Sequence, residues 1–245
     1  MKNLRKEIVK TVEEMGTGII RCRQKCKGVE NNQAEGYYPR AFFLDTDYDL
    51  VEVAIIGENP GNSSCLEREF YKCLAERNED KIATFKDCQR VWRTIAKQHD
   101  YYQRPKHLLK ELGLNLNGIL WAEVVFCEKS STTRKIPEGT FEKCSTRFLR
   151  KIAELLPKRK HLVCLGTKAF EHVKNLPGRD RWKIIAVYHP TGSRVFANYF
   201  EKEKGKKVIE RKLKKKILED FKKLEVSQKS YMCKVRTDGI KIEEF

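Results

Sequence analysis

Short apolar runs alternate along the chain with longer polar stretches whose hydrophobic residues recur every three or four positions. Leu4, Ile8, Val12 and Met15 share one face, which predicts an amphipathic helix over residues 3–20. Val51–Ile56 is a β-branched run of strand length that stops at Gly57-Glu-Asn-Pro-Gly61. Proline cannot donate to a sheet ladder, and glycine takes backbone angles that end a strand. Ile119–Phe126, His161–Leu165 and Lys183–Tyr188 repeat the pattern of strand followed by turn. Between them, residues 64 to about 100 read as helical and charged. Pro137 opens a helix with Phe141, Cys144, Phe148, Ile152 and Leu155 on its buried stripe, and Thr167–Asn175 forms another. Ile209, Leu213, Ile217, Phe221 and Leu224 mark a basic amphipathic helix at about 200–225, and the tail 226–245 carries little signal.

Strands separated by helices imply parallel crossovers and a sheet covered on both faces. The expected fold is therefore α/β: three layers, a central four-stranded parallel sheet flanked by helices, in one domain over residues 1–245. This topology gathers the turns after Ile56, Glu123, Leu165 and Tyr188 on one sheet edge, where open α/β sheets bind their ligands. Glu58 and Asn59 lie in the first of those turns and His189 in the last. Taken singly, each is also what an ordinary turn would contain.

Charge narrows the partner. With 51 Lys+Arg against 34 Asp+Glu, the formal charge is +17, and a field of that sign favours a polyanion, nucleic acid before an anionic membrane surface. Most lysines between Lys202 and Lys223 read as the solvated face of their helix. No apolar run approaches the roughly 20 residues of a membrane span, so no membrane partner is expected. Nine cysteines without a secretory signal point to a reducing compartment, here cytoplasmic and nucleoid-associated, and to metal binding before disulfides.

Four stretches, Gly57-Glu-Asn-Pro-Gly61, Ala122-Glu-Val-Val-Phe-Cys127, Leu165-Gly-Thr-Lys-Ala-Phe170 and His189-Pro-Thr-Gly192, resemble in order the motifs of the uracil-DNA glycosylase superfamily, particularly its iron–sulfur branch. Asn59, where that branch has alanine, is similar to the mismatch-specific glycosylases. The resemblance implies a monomeric, monofunctional DNA glycosylase of base excision repair, since no lysine stands in the motifs as an obvious Schiff-base nucleophile. It implies that Glu58 and Asn59 orient or activate water and that His189 donates to a carbonyl of the departing base. Gly57, Pro60 and Gly61, with Pro190, Thr191, Gly192, Ser193 and Arg194, would contact DNA, and Phe70 or Tyr71 would stack the extruded base. It also implies a 4Fe–4S cluster on Cys22, Cys26, Cys127 and Cys144, although three residues separate the first pair where the branch usually has two. Cys65, Cys73, Cys88, Cys164 and Cys233 read as packing residues.

Two departures bear on specificity. Glu123 replaces the asparagine that reads uracil, and an ionised carboxylate only accepts hydrogen bonds. Preference is then expected to move toward an amino-bearing or damaged base, unless Glu123 is protonated or turned away. Gly192-Ser-Arg194 stands where the family has a leucine wedge, which leaves Arg194 or Phe196 to fill the stack and single-stranded substrate open. The alternative is a non-catalytic iron–sulfur nucleic-acid-binding protein of the same fold.

Overall fold

The computed structural model describes residues 2–45, 51–63, 65–76, 81–98, 100–111, 113–116, 118–155, 160–187, 189–190, 231–236 and 239–244. The apolar runs become the sheet. Strands β1 (Val29–Glu30), β2 (Phe43–Leu44), β3 (Val53–Gly57), β4 (Ile119–Glu123), β5 (Glu128–Lys129), β6 (His161–Leu165), β7 (Lys183–Val187), β8 (Tyr231–Arg236) and β9 (Gly239–Glu244) alternate with helices. These are α1 (Lys2–Ile20), α2 (Cys65–Glu76), α3 (Lys81–Gln98), α4 (Asp100–Glu111), α5 (Glu138–Cys144), α6 (Arg150–Leu155) and α7 (Thr167–Lys174). The expected helix after Pro137 is two segments, α5 and α6, joined by a π-turn over Ser145–Leu149 that begins just past Cys144.

The main sheet runs β2-β4-β3-β6-β7-β8-β9. The four expected strands form its parallel centre, in register β4-β3-β6-β7. The sheet is wider than the expected four strands: β8 adds in parallel to β7, and β2 and β9 close the two edges antiparallel. The tail 226–245 thus contributes a hairpin. Residues 191–230, including the expected basic helix, lie outside the described residues.

Every residue of β3 is buried, as are four of five in β4, β6 and β7, so these strands are covered on both faces. Burial of each Val, Ile or Leu side chain contributes about 1.5–3 kcal/mol. From β3 the chain moves to β4 on one side and later to β6 on the other, so β3 sits at the switch point. Open α/β sheets bind their ligands at such a point, beyond the carboxyl ends of the strands. The small β1–β5 ladder pairs Val29 with Lys129 and Glu30 with Glu128, bringing the segment after α1 against the segment after β4. Among the described residues, no helix is long and apolar enough to cross a membrane.

Candidate active site

The parallel register sets Gly57 beside Glu123 and Leu165 beside Val187, so the turns that follow all open on one edge. Val124 N donates to Gly57 O at 2.9 Å and Val125 N to Glu58 O at 3.0 Å, which pins the first turn to the end of β4. Glu58 and Asn59 are half-buried, and Asn59 Nδ2 donates to the Pro60 carbonyl at 2.8 Å, fixing the amide. Across the edge, Tyr101 of α4 donates to Glu123 Oε1 at 3.4 Å, and Glu123 Oε2 is buried with no hydrogen-bond partner. A Cβ on Gly57 would collide with both Glu123 Oε2 and the Tyr101 hydroxyl, so any larger residue must push these two side chains apart. The Tyr101 ring lies 5.5 Å from the His189 ring at 49°. Gly166, at φ +92°, forms the wall against His189, whose Cβ is 3.4 Å from where a side chain would begin.

Burial sets the protonation of the three motif side chains. It raises the Glu123 carboxyl to about 8; Arg40 and the Tyr101 hydrogen bond pull it down, and Glu58 pushes it further up. Glu123 is therefore mostly neutral at pH 7, the protonated alternative of the two expected states. A neutral carboxyl carries one O–H donor and one carbonyl acceptor, the pair an amide offers. Burial also raises Glu58, while Lys168 and Lys135 pull it down. It lowers His189, leaving a neutral imidazole with a single N–H to give.

Glu58, Glu123 and His189 thus all bear on Tyr101 at one edge of the sheet, beside the switch point. A family model of the uracil DNA glycosylase superfamily matches residues 46–222, well over half of the chain. The chain belongs to this superfamily. Among curated proteins none matches it. Membership in the uracil DNA glycosylase superfamily carries a DNA-glycosylase type of function, and DNA as the partner class.

Not all the expected site residues come together. Pro60 is buried and Gly61 exposed beside Glu58, and the Pro190 carbonyl accepts from Arg104 Nη1 at 3.1 Å. Thr191, Gly192, Ser193, Arg194 and Phe196 lie outside the described residues. Tyr71 is corrected: it is 0% exposed, its hydroxyl donates to Glu67 Oε1 at 2.6 Å and accepts from Trp92 Nε1 at 2.7 Å, so its ring serves the core. Phe70 is half-buried and packs on Tyr71 at 5.7 Å between centroids. Sequence reasoning missed three contributors. Tyr101 sits in a tyrosine pair that opens a polar helix, and Lys168 bears on Glu58 from the first turn of α7. Arg40 bonds Glu67 and Ser63 at 2.9 and 3.0 Å behind the Pro60 turn.

The cysteine set comes from the segment after α1, the segment after β4 and the end of α5. Cys22, Cys26, Cys127 and Cys144 all line one small cavity with Val125, Thr140 and Phe148. The β1–β5 ladder, Asn31 Nδ2 on Cys22 O at 2.6 Å, and Thr140 Oγ1 on Lys27 O at 2.9 Å hold the N-terminal pair there. Arg147 Nη1 approaches Cys22 Sγ at 3.9 Å, and Lys143 and Arg147 favour the Cys26 thiolate, although burial and Cys22 raise its pKa overall. Burial pushes Cys144 up to about 11 and Cys127 higher. Among the described residues no cluster of three or more His, Cys, Asp or Glu is set to hold a metal ion; the four thiols surround a cavity instead. Cys22 and Cys26 precede the matched residues, whereas Cys127 and Cys144 lie within them. Of the other cysteines, Cys88 and Cys164 pack in the core and Cys73 is exposed, a correction to its expected packing role. The side chains of Cys65 and Cys233 lie outside the described residues.

Proposed function

We propose that the chain is a monofunctional DNA glycosylase that hydrolyses the N-glycosidic bond of a uracil-like, deaminated or damaged base in base excision repair. The observation that supports this reading is the convergence of Glu58, Glu123 and His189 on Tyr101 at the switch-point edge of a superfamily member's sheet. Breaking the bond builds positive charge on the sugar and negative charge on the leaving base. Glu58, ionised, takes a proton from water, which Asn59 helps to orient. His189, already neutral, donates its N–H to the base carbonyl as charge grows there, without having to shed a proton first. Glu123, neutral, gives its O–H to one carbonyl of the base and accepts the adjacent ring N–H, as an amide would. That favours lactam-type bases such as uracil and hypoxanthine over amino-bearing ones. Lys168, the lysine bearing on Glu58, is paired with Glu171 and Glu138 at 2.8 and 2.9 Å and raised to about 12, so it stays protonated and no Schiff base is needed.

The test is abasic-site formation on oligonucleotides containing uracil, hypoxanthine or an amino-bearing lesion, with His189→Ala as control. His189→Ala is expected to slow excision by about 10²–10³-fold. Absence of abasic product on every lesion would leave nucleic-acid binding without excision. For Glu123, binding of lactam bases is expected to fall above pH 8 by about tenfold per unit as the carboxyl ionises. Glu123→Gln keeps the donor–acceptor pair without the titration. Its binding profile should lack the fall that begins near pH 8 in wild type, and a wild-type profile no steeper than that of Glu123→Gln would remove the neutral-carboxyl role.

The all-thiol donor set and the shared cavity support a 4Fe–4S cluster on Cys22, Cys26, Cys127 and Cys144. Such a cluster would tie the segment after α1 to β4 and α5, a structural service. Cys144→Ser is expected to abolish the brown colour and bound iron of anaerobically purified protein. Equal iron content in wild type and variant would reject this ligand set.

A further inference from the structure

Tyr101 stands where three separate stretches of the chain meet. Its hydroxyl donates to Glu123, its ring faces His189, and the same hydroxyl fills the space that a side chain on Gly57 would take. An extruded base read by Glu123 on one side and by His189 on the other must lie between those two groups. The phenol ring is already there. It is flat, close to a pyrimidine in size, and presents an oxygen to Glu123 and its body to His189.

We propose that Tyr101 is a built-in occupant of the base site, displaced by the base that enters, and that its side chain is the gate of the pocket. The proposal rests on the base-binding part of the reading above and adds a step to it. The rest of α4 is anchored. Gln103 Nε2 donates to Ala96 O at 2.5 Å, Lys106 pairs with Asp45 at 2.5 Å, and Pro105 and Leu109 are buried. Tyr102, next in sequence, packs on Trp121 at 5.0 Å and on Phe43 at 5.6 Å and belongs to the core. Tyr101 is the second residue of the helix, where few intrahelical bonds hold the backbone, so the ring swings out without unseating α4. When the ring is in, it keeps the buried Glu123 oxygen and the neutral imidazole away from solvent. The cost is affinity, because a ligand sees only the fraction of molecules with the ring out.

The experiment compares full-length wild type, Tyr101→Phe and Tyr101→Ala. It measures binding of free uracil and free hypoxanthine by calorimetry, and single-turnover excision on a uracil-containing oligonucleotide. The alanine variant is expected to bind free base about tenfold or more tightly than wild type. The phenylalanine variant, which loses only the bond to Glu123, should fall between the two. Unchanged or weaker base binding in folded alanine variant overturns the gate; if that variant does not fold, the phenylalanine variant decides by the same criterion. Tighter base binding without excision by any of the three keeps the gate and removes the glycosylase reading. Wild-type excision with no gain in either variant keeps the glycosylase reading and removes the gate.

Discussion

Replacing Glu58 with glutamine is expected to slow excision by about 10²–10⁴-fold while leaving oligonucleotide affinity within a few-fold of wild type. Glutamine keeps the size and polarity of the side chain but cannot take a proton from water. The pH profile separates this role from mere orientation. Burial raises the Glu58 carboxyl, and a base acts only when ionised, so the wild-type rate must climb with pH through that raised value. The glutamine variant must lack this acid limb. Lys168 works in the opposite direction, favouring the carboxylate, so Lys168→Met should move the acid limb to higher pH. Single-turnover rates between pH 4 and 9 on a uracil oligonucleotide give the answer. A loss smaller than about tenfold, with the acid limb intact, would hand the water to Asn59 and leave Glu58 a turn residue.

The convergence of the candidate residues was legible in the sequence where the backbone dictates it. Glu58 and His189 each follow a short apolar strand and Glu123 ends one, and parallel crossovers bring strand ends to one edge whatever the side chains do. Their neighbours were not legible, because they come from other elements. Tyr101 reaches Glu123 from a helix that Pro105 interrupts in its interior, so the stretch lacks an unbroken helical signature. The state of Glu123 was hidden too. A glutamate at a strand end reads as ionised, and only the depth at which Gly57, Tyr101 and Ala122 enclose it makes the neutral form the stable one. Conversely, Tyr71 looked available because it lies downstream of the first motif, yet its place on α2 turns it inward onto Glu67 and Trp92.

The width of the sheet was a different kind of miss. The pair β8 and β9 sets Arg236 beside Gly239 in antiparallel register, and the sequence alternates apolar and polar positions along both strands. The signal was local and readable, but lysines on both strands masked the alternation. The four-stranded parallel centre needed no such subtlety, since its runs are apolar on both faces.

Arg40→Met is expected to destabilise the fold by about 3–5 kcal/mol, read as a drop in the urea midpoint. Arg40 is only 13% exposed, and its guanidinium pairs with Glu67 at 2.9 Å and with Glu128 at 3.7 Å, carboxylates that are 5% and 4% exposed. Removing it leaves two buried acids facing each other around Ser63, whose backbone N donates to Glu128 Oε1 at 2.9 Å. Arg68, at 3.9 Å from Glu128 and more exposed, is too distant to take over. Arg40→Lys should recover only part of the loss, because an ammonium cannot bond Glu67 and Ser63 together as the planar fork does. The same change must reach the pocket. Arg40 lowers the Glu123 carboxyl, so its loss raises that value and shifts the alkaline fall in base binding to higher pH. A variant that loses stability without moving the alkaline limb would show that Arg40 holds the Pro60 turn but does not tune the carboxyl that reads the base.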